Sequence, residues 1–314
     1  MNPVLLRNRA IRKTRSFFSA RGLHEVMTPK AVPSPALEPY IDAVGLTAAQ
    51  SEEKRFLATS PEFALKKIFR AEMTADNAAR GIYEISSVFR DDRPGKHHAL
   101  EFTMVEWYEK ESHLNAILAN AGALIAYLST ELGGTAIAPG VKIIDLRSRF
   151  EETGCAFAFD NETGAVEKYT ALHGNLPQHL NSTDAAIACF NLLFDEFILP
   201  GLRDETGLVA VSGYPDYLGA LAFTANGIAE RGEIYYGGLE IANGYREEFR
   251  PAVARERWLK YNEIRRLRGV DPHMIDEKLL AELPYMENVA GIAVGLERVL
   301  MAIFPGLKLP VFFN

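Results

Sequence analysis

Residues 81–110 constrain the fold more than any other part of the chain. GIYEISSVFR at 81–90 and EFTMVEWYEK at 101–110 both read as strands, and the intervening DDRPGKHHAL carries charges, Pro94 and Gly95. This pattern predicts a long antiparallel hairpin. Strand alternation places Phe102, Met104, Glu106 and Tyr108 on one face, with Glu101, Thr103, Val105 and Trp107 on the other.

Helices and further strands flank this unit. A helix over about Val4–Ala20 carries Leu6, Ala10, Phe17 and Phe18 on one face and stops at Gly22, and a short strand follows in LHEVMTP. Ser60, Pro61 and Glu62 open the next helix, with Phe63, Leu65, Ile68 and Phe69 as its apolar face. Ser112 is the expected cap of a long helix ended by Gly133-Gly134. The segment 140–205 has helical character, and Ile187, Phe190, Leu193, Phe194 and Phe197 form a packing stripe in Ala185–Leu199. From 207 the chain turns β-like, in LVAVSGYP and in GEIYYGGLEIANGYRE with a turn or bulge at Gly237-Gly238. A helix over Val253–Arg268 comes next, and a strand, AGIAVG, then runs straight into the helix LERVLMAIF. The expected class is α+β around a mostly antiparallel sheet, without repeated βαβ units. No repeat, low-complexity tract or linker divides the 314 residues, so 1–314 is expected to form one domain.

Composition excludes several function classes. The formal net charge of −7 argues against broad nucleic-acid binding by charge alone. Two basic stretches remain, Arg7, Arg9, Arg12, Lys13 and Arg15, and later Arg255, Arg257, Lys260, Arg265, Arg266 and Arg268; the first is either solvated or docks an acidic protein. No apolar run reads as approaching the roughly 20 residues of a membrane span. The N-terminus lacks signal-peptide features, and Cys155 and Cys189 stand apart from any CxxC pair. A cytoplasmic location is expected.

Charges on strands carry the chemical signal. Arg90 ends a strand, Arg298 follows a Gly-rich strand at a helix start, and Glu233 and Glu240 lie on one β segment with Glu247 just beyond. Guanidinium forks grip phosphate oxygens, and hard carboxylates hold Mg²⁺ shared with phosphates, so the set suggests a polyphosphate with a divalent metal. The alternative is ion pairing along a solvated sheet edge. His97-His98 is not a metal pair, because neighbouring strand side chains face opposite ways.

GLHEVMTP resembles motif 1 of the class II aminoacyl-tRNA synthetases, VFRDDRPGKHHALEFTMVEWY resembles motif 2, and GIAVGLERVLM resembles motif 3. TSPE at 59–62 and GEIYYGGLEIANGYRE are similar to signals of the lysyl branch. Motif 1 begins within the first thirty residues, leaving room before it for one helix and not for an anticodon-binding OB-fold. In this the chain looks like the stand-alone synthetase paralogues that attach lysine or (R)-β-lysine to translation elongation factor P. Ala293, where the synthetases usually carry Gly, fits that group.

The resemblance implies activation of the amino acid as its adenylate by ATP, with Mg²⁺, followed by transfer to a lysine of the factor. It implies that Arg90 holds the α-phosphate and the substrate carboxylate. Arg298 would hold the γ-phosphate or the adenine, His98 the phosphate tail, and Phe102 and Asp92 the adenine. Asp91, Ile241 and Gly295 would complete the ATP site, and Glu233 and Glu240 would bind the metal. Glu62, Glu247 and Tyr108 match positions that meet the substrate's amino groups, with Ser60, Pro61, Asn243, Tyr245 and Ala293 lining the same pocket. The resemblance also implies a homodimer; the acidic charge balance and the lack of room for an anticodon-binding domain argue against stable tRNA binding, and no membrane binding is expected. Two residues depart from the family pattern: Asp92 stands for the usual Glu, and Ala99 for the usual Asn. Rival readings are an adenylating enzyme with a tRNA or small-molecule acceptor and a catalytically silent regulatory paralogue.

Overall fold

The computed structural model describes residues 2–48, 50–92, 95, 98–176 and 182–307. The strands are β1 (Leu23–Glu25), β2 (Ala31–Val32), β3 (Gly45–Ala48), β4 (Ser51–Leu57), β5 (Gly81–Phe89), β6 (Glu101–Lys110), β7 (Val141–Asp145), β8 (Leu208–Pro215), β9 (Thr224–Ala225), β10 (Ile228–Tyr236), β11 (Leu239–Arg246) and β12 (Val289–Gly295). The helices are α1 (Pro3–Ser19), α2 (Glu62–Ala75), α3 (Leu114–Leu132), α4 (Leu146–Glu152), α5 (Thr163–His173), α6 (Ser182–Leu193), α7 (Leu199–Asp204), α8 (Pro251–Leu267), α9 (Glu277–Glu282) and α10 (Leu296–Ile303).

The main sheet runs β1-β5-β6-β12-β11-β10-β8-β7, with β9 beside β10, and β2, β4 and β3 form a small separate sheet. Its central ladders are antiparallel; only the outer pairs β1–β5 and β7–β8 are parallel among the described residues. The fold is therefore α+β, as the alternation and turn chemistry predict. The β5–β6 hairpin forms in the register Gly81↔Glu109 to Phe89↔Glu101.

Each sheet face has its own cover. On one, α1, α3 and α10 bury Trp107, Phe18, Leu118, Ile125, Ile292 and Val299. Phe18 stacks on Tyr83 with centroids 4.5 Å apart, and Trp107 is fully buried beside it, 5.0 Å from the same ring. Burying a side chain of this kind contributes about 1.5–3 kcal/mol. On the other face, α2, α8 and the 146–204 helices pack Phe63, Trp258, Phe150, Phe190 and Leu193. The sheet's middle strands are left open on that side, which makes room for a cavity.

Several details differ from the sequence expectation. The cap of α3 is His113, whose Nδ1 accepts from the Ala116 N–H at 3.3 Å, and Ser112 lies outside the helix. Gly133 closes that helix at φ 74°, a left-handed conformation glycine adopts without a Cβ clash. Val141–Asp145, within the stretch of helical character, is a strand parallel to β8. Ala185–Asp204 is a continuous 20-residue helical stretch of mean hydropathy 1.6, long and apolar enough by composition to cross a membrane, contrary to the sequence reading. Here Ile187, Phe190, Leu193 and Phe194 of that stretch belong to the core, and Phe194–Ile198 forms a π-helical turn.

The basic stretches are largely neutralised within the fold. Lys13 pairs with Glu131 at 2.5 Å and Arg15 with Glu25 at 2.8 Å. On α8, Arg255 pairs with Glu277, Lys260 with Glu162 and Arg265 with Asp42, which Arg268 just past the helix also meets.

Candidate functional site

Two rows of residues cross the sheet and meet one cavity. The register aligns Glu106 on β6, Ala293 on β12, Asn243 on β11 and Glu233 on β10; two residues along, it aligns Tyr108, Gly291, Tyr245 and Arg231. Residues two apart on a strand share a face, so both rows open on the same side. With Met104 and Gly295 in the next row, they wall a cavity of about 300 Å³ closed by Ser60 and Glu62 at the start of α2, by Ala36, Glu38 and Ile41, and by Arg90, Asp92, His98, Phe102, Glu240 and Arg298.

One end is rich in guanidinium groups. Arg90 lies over the Phe102 ring, 5.2 Å from its centroid, and its Nε donates to the Thr59 carbonyl at 3.3 Å. Burial lowers its pKa, opposed by Glu240 and Glu38. Arg298 donates to the Glu240 carbonyl at 2.9 Å and to its Oε2 at 3.1 Å, with His98 Nε2 3.5 Å away on the other side. Burial and Glu233 raise the Glu240 carboxyl, while Arg298 and Arg90 oppose that. A Cβ at Gly295 would meet nothing closer than Arg298 Cδ at 3.7 Å, so the approach to that arginine is open. Beneath it, Glu297 accepts from the Thr103 N–H at 2.9 Å and hydroxyl at 2.7 Å, fixing α10 to β6 and hence Arg298 relative to Arg90.

The other end is a buried acidic cluster. Lys66, fully buried, lies 2.7 Å from Glu62 Oε1 and 2.5 Å from Glu247 Oε2. Tyr245 donates to Glu62 Oε1 at 2.5 Å, and Glu106 accepts from Tyr108 at 2.6 Å and Ser60 at 2.7 Å. Burial pushes the Glu106 carboxyl up to about 7 and Glu247 to about 8, with Glu62 adding to both. Lys66 is raised, since the two carboxylates outweigh its burial. Glu247 Oε1 has no hydrogen-bond partner among the described residues, and a Cβ on Gly291 would sit 2.6 Å from it and 2.3 Å from the Tyr108 ring. Three acidic groups against one ammonium leave the cluster short of cations, a cost that protonation of Glu106 or Glu247 relieves and that an arriving ammonium would relieve instead.

Most sequence-predicted site residues converge on this cavity, but three do not line it. Glu247 lies behind Tyr108 and Gly291, and Pro61 is the N-cap of α2. Asp91 is exposed and its N–H donates to the Asp42 carbonyl at 2.8 Å. Asp92, Ile241 and Ala99 do line it. Ser60, the expected cap, stands one residue before the N-cap, its Oγ accepting from the Glu62 N–H at 3.0 Å.

Glu233 is already engaged. Its Oε1 accepts from Arg231 at 2.6 Å, and its Oε2 accepts from Tyr214 at 2.6 Å and Tyr235 at 2.7 Å. Among the described residues no group of three or more His, Cys, Asp or Glu is gathered as a metal site. Two carboxylates nevertheless suit Mg²⁺, which takes one or two protein oxygens and completes its shell with water and phosphates.

A family profile described as tRNA synthetases class II (D, K and N) matches residues 1–306. The chain belongs to that family. Curated relatives cover this class II chain almost throughout. An elongation factor P–(R)-β-lysine ligase from Haemophilus influenzae is 28% identical over 95% of this chain and 89% of its own length. Ligases of the same name from Avibacterium paragallinarum and Pasteurella multocida are 29% and 28% identical, each over 95% of this chain and 90% of their own.

Sequence reasoning on this class II chain missed Lys66, Glu106, Arg231 and Glu38. Glu62 and Lys66 are an i,i+4 acid–base pair set within an otherwise apolar helix face, and Arg231 and Glu233 alternate onto one strand face; both signals were present. Glu106 stood on the predicted Phe102–Tyr108 face. Nothing in the local pattern marks Glu38.

Proposed function

We propose that this chain activates lysine or (R)-β-lysine with ATP and transfers it to a lysine side chain of elongation factor P. The observation that carries the reading is the polarity of the cavity: the guanidinium groups of Arg90 and of Arg298, the latter paired with Glu240, at one end, a carboxylate-rich cluster at the other, about 300 Å³ between them. A diamino acid has the complementary ends. The family match supports the adenylation chemistry, and the names of the relatives support the acceptor.

The substrate's carboxylate oxygen attacks the α-phosphorus of ATP, the bond to the bridging oxygen breaks, and pyrophosphate leaves. Arg90 holds the carboxylate and α-phosphate together, and Phe102 offers its ring to the adenine. Arg298, reached past Gly295, takes charge on the phosphate tail with His98. Positioning and charge stabilisation account for most of such a reaction. Glu62 and Glu106 take the distal ammonium, and Glu247, behind Tyr108, adds to the negative field there. Glu240, with Glu233, would hold Mg²⁺, which when bound neutralises phosphate charge. In the second step the acceptor ε-amine attacks the adenylate's carbonyl carbon and AMP leaves. We further propose a homodimer that works in the cytoplasm without a stable tRNA complex.

Intact-mass analysis of elongation factor P, incubated with the protein, ATP, Mg²⁺ and either lysine isomer, tests the reading. A gain of one lysyl unit is expected. Amino-acid-dependent ATP–pyrophosphate exchange without that gain would point to another acceptor, and neither signal would point to a silent paralogue.

A further inference from the structure

Glu38 is a carboxylate in the cavity that the reaction described above leaves without a role. It lies in the 33–44 connection, and that connection is pinned on both sides of it. The Ala36 N–H donates to Thr59 Oγ1 at 3.2 Å, Arg268 donates to the Pro39 carbonyl, and Arg268 also pairs with Asp42 at 2.9 Å. Leu37 is buried in the core. The backbone therefore presents Glu38 to the cavity in a fixed place.

Among the described residues the Glu38 side chain has no hydrogen bond or ion pair. The charged groups that act on it are Arg231 and Glu233 from β10, Glu62 from α2 and Arg90 at the end of β5. Arg231 is already spent on Asn243, the Leu218 carbonyl and Glu233, at 3.1, 2.6 and 2.6 Å. Arg90 donates its Nε to Thr59, and among the described residues its terminal nitrogens have no hydrogen-bond partner. Burial pushes the Glu38 carboxyl up to about 7, with Arg231 opposing, so an arriving cation would fix it as the carboxylate.

An unpaired carboxylate near an available guanidinium is complementary to the zwitterionic head of an amino acid. We propose that Glu38 is a specificity-determining residue that receives the amino group nearest the substrate's reacting carboxylate, while Arg90 receives the carboxylate itself. The cavity then reads both ammonium groups of a diamino acid, one at Glu38 and one in the Glu62–Glu106–Glu247 cluster. This inference rests on the adenylation reading.

Pyrophosphate exchange with three substrates separates the two. Lysine and (R)-β-lysine carry both amino groups, whereas 6-aminohexanoic acid carries only the distal one. The wild type is expected to prefer a diamino acid over 6-aminohexanoic acid. Glu38→Gln keeps the shape and is expected to raise KM for the diamino acid at least tenfold. KM for ATP and kinetics on 6-aminohexanoic acid should stay within twofold, so the preference collapses. An unchanged KM, or equal losses on all three compounds, would overturn the assignment while leaving adenylation intact. A Glu38→Gln protein that melts well below wild type would make the residue structural and overturn it too. Absence of exchange in the wild type with every compound would remove the adenylation reading and this inference with it.

Discussion

Lys66 Nζ stands 2.5 Å from Glu247 Oε2 with both side chains wholly enclosed. The same ammonium reaches Glu62, so one cation organises two of the three carboxylates at the acidic end. Removing one member of a buried pair leaves an uncompensated charge, at a cost of about 3–5 kcal/mol. Lys66→Met is expected to destabilise the protein by that order in urea unfolding. Adding Glu247→Gln should recover part of the loss, and additive losses would show that the pair is not coupled.

The acidic cluster also sets a pH dependence. Glu106 and Glu247 titrate near 7 and 8 in the folded protein, above the ordinary 4.5 of a glutamate. The folded state thus binds more protons than the unfolded chain between about 4.5 and 8. Stability must fall as pH rises across that window and level off above it. Saturating lysine supplies the missing cation, so its stabilising effect should grow over the same range. Melting temperatures measured from pH 5 to 9 check this, and Glu106→Gln should flatten the ligand-free slope. A melting temperature that rose steadily from pH 5 to 8 would refute the charge balance.

Much of this arrangement could be read from residue order. Period-two alternation with Pro and Gly between the segments specifies β5–β6 locally, and the same alternation places Glu106 beside Phe102 and Tyr108 before any contact is known. The strand Val141–Asp145 could not be read this way, because it is defined by pairing with Leu208–Ser212, far along the chain, and its own pattern is weak. The same limit applies to the site. The resemblance places Asn243 and Tyr245 in the pocket, and their spacing of two puts both on one strand face. Glu38 lies in an irregular connection and gains its position from residues of other elements, among them Thr59 and Arg268.

Ala293 lies between Glu106 and Asn243 in the row that floors the cavity. Its methyl group stands between Gly291 and Gly295, which offer no side chain on that face. Ala293→Gly deepens the floor by one carbon, and a change of that size in a pocket is worth about 1–3 kcal/mol of discrimination. The ratio of kcat/KM for lysine to that for (R)-β-lysine is expected to shift roughly 10- to 100-fold. ATP kinetics should be unaffected, since Arg90 and Arg298 lie at the other end. A ratio unchanged within twofold would mean that neither isomer reaches the floor.

Arg298 makes its protein contacts to Glu240 and lies beside His98, and a Cβ at Gly295 would leave its approach open. Its position comes from the Glu297–Thr103 bonds, which Arg298→Ala does not touch. The fold should therefore survive, with a melting temperature within a few degrees of wild type. Loss of a charge aimed at developing phosphate charge typically lowers a rate about 10²–10³-fold. Pyrophosphate exchange is expected to fall by at least that much, and Arg298→Lys should recover only part, because an ammonium is a point charge and lacks the planar fork. Full activity in the alanine variant would remove Arg298 from the phosphate site, and the open space at Gly295 would then need another occupant.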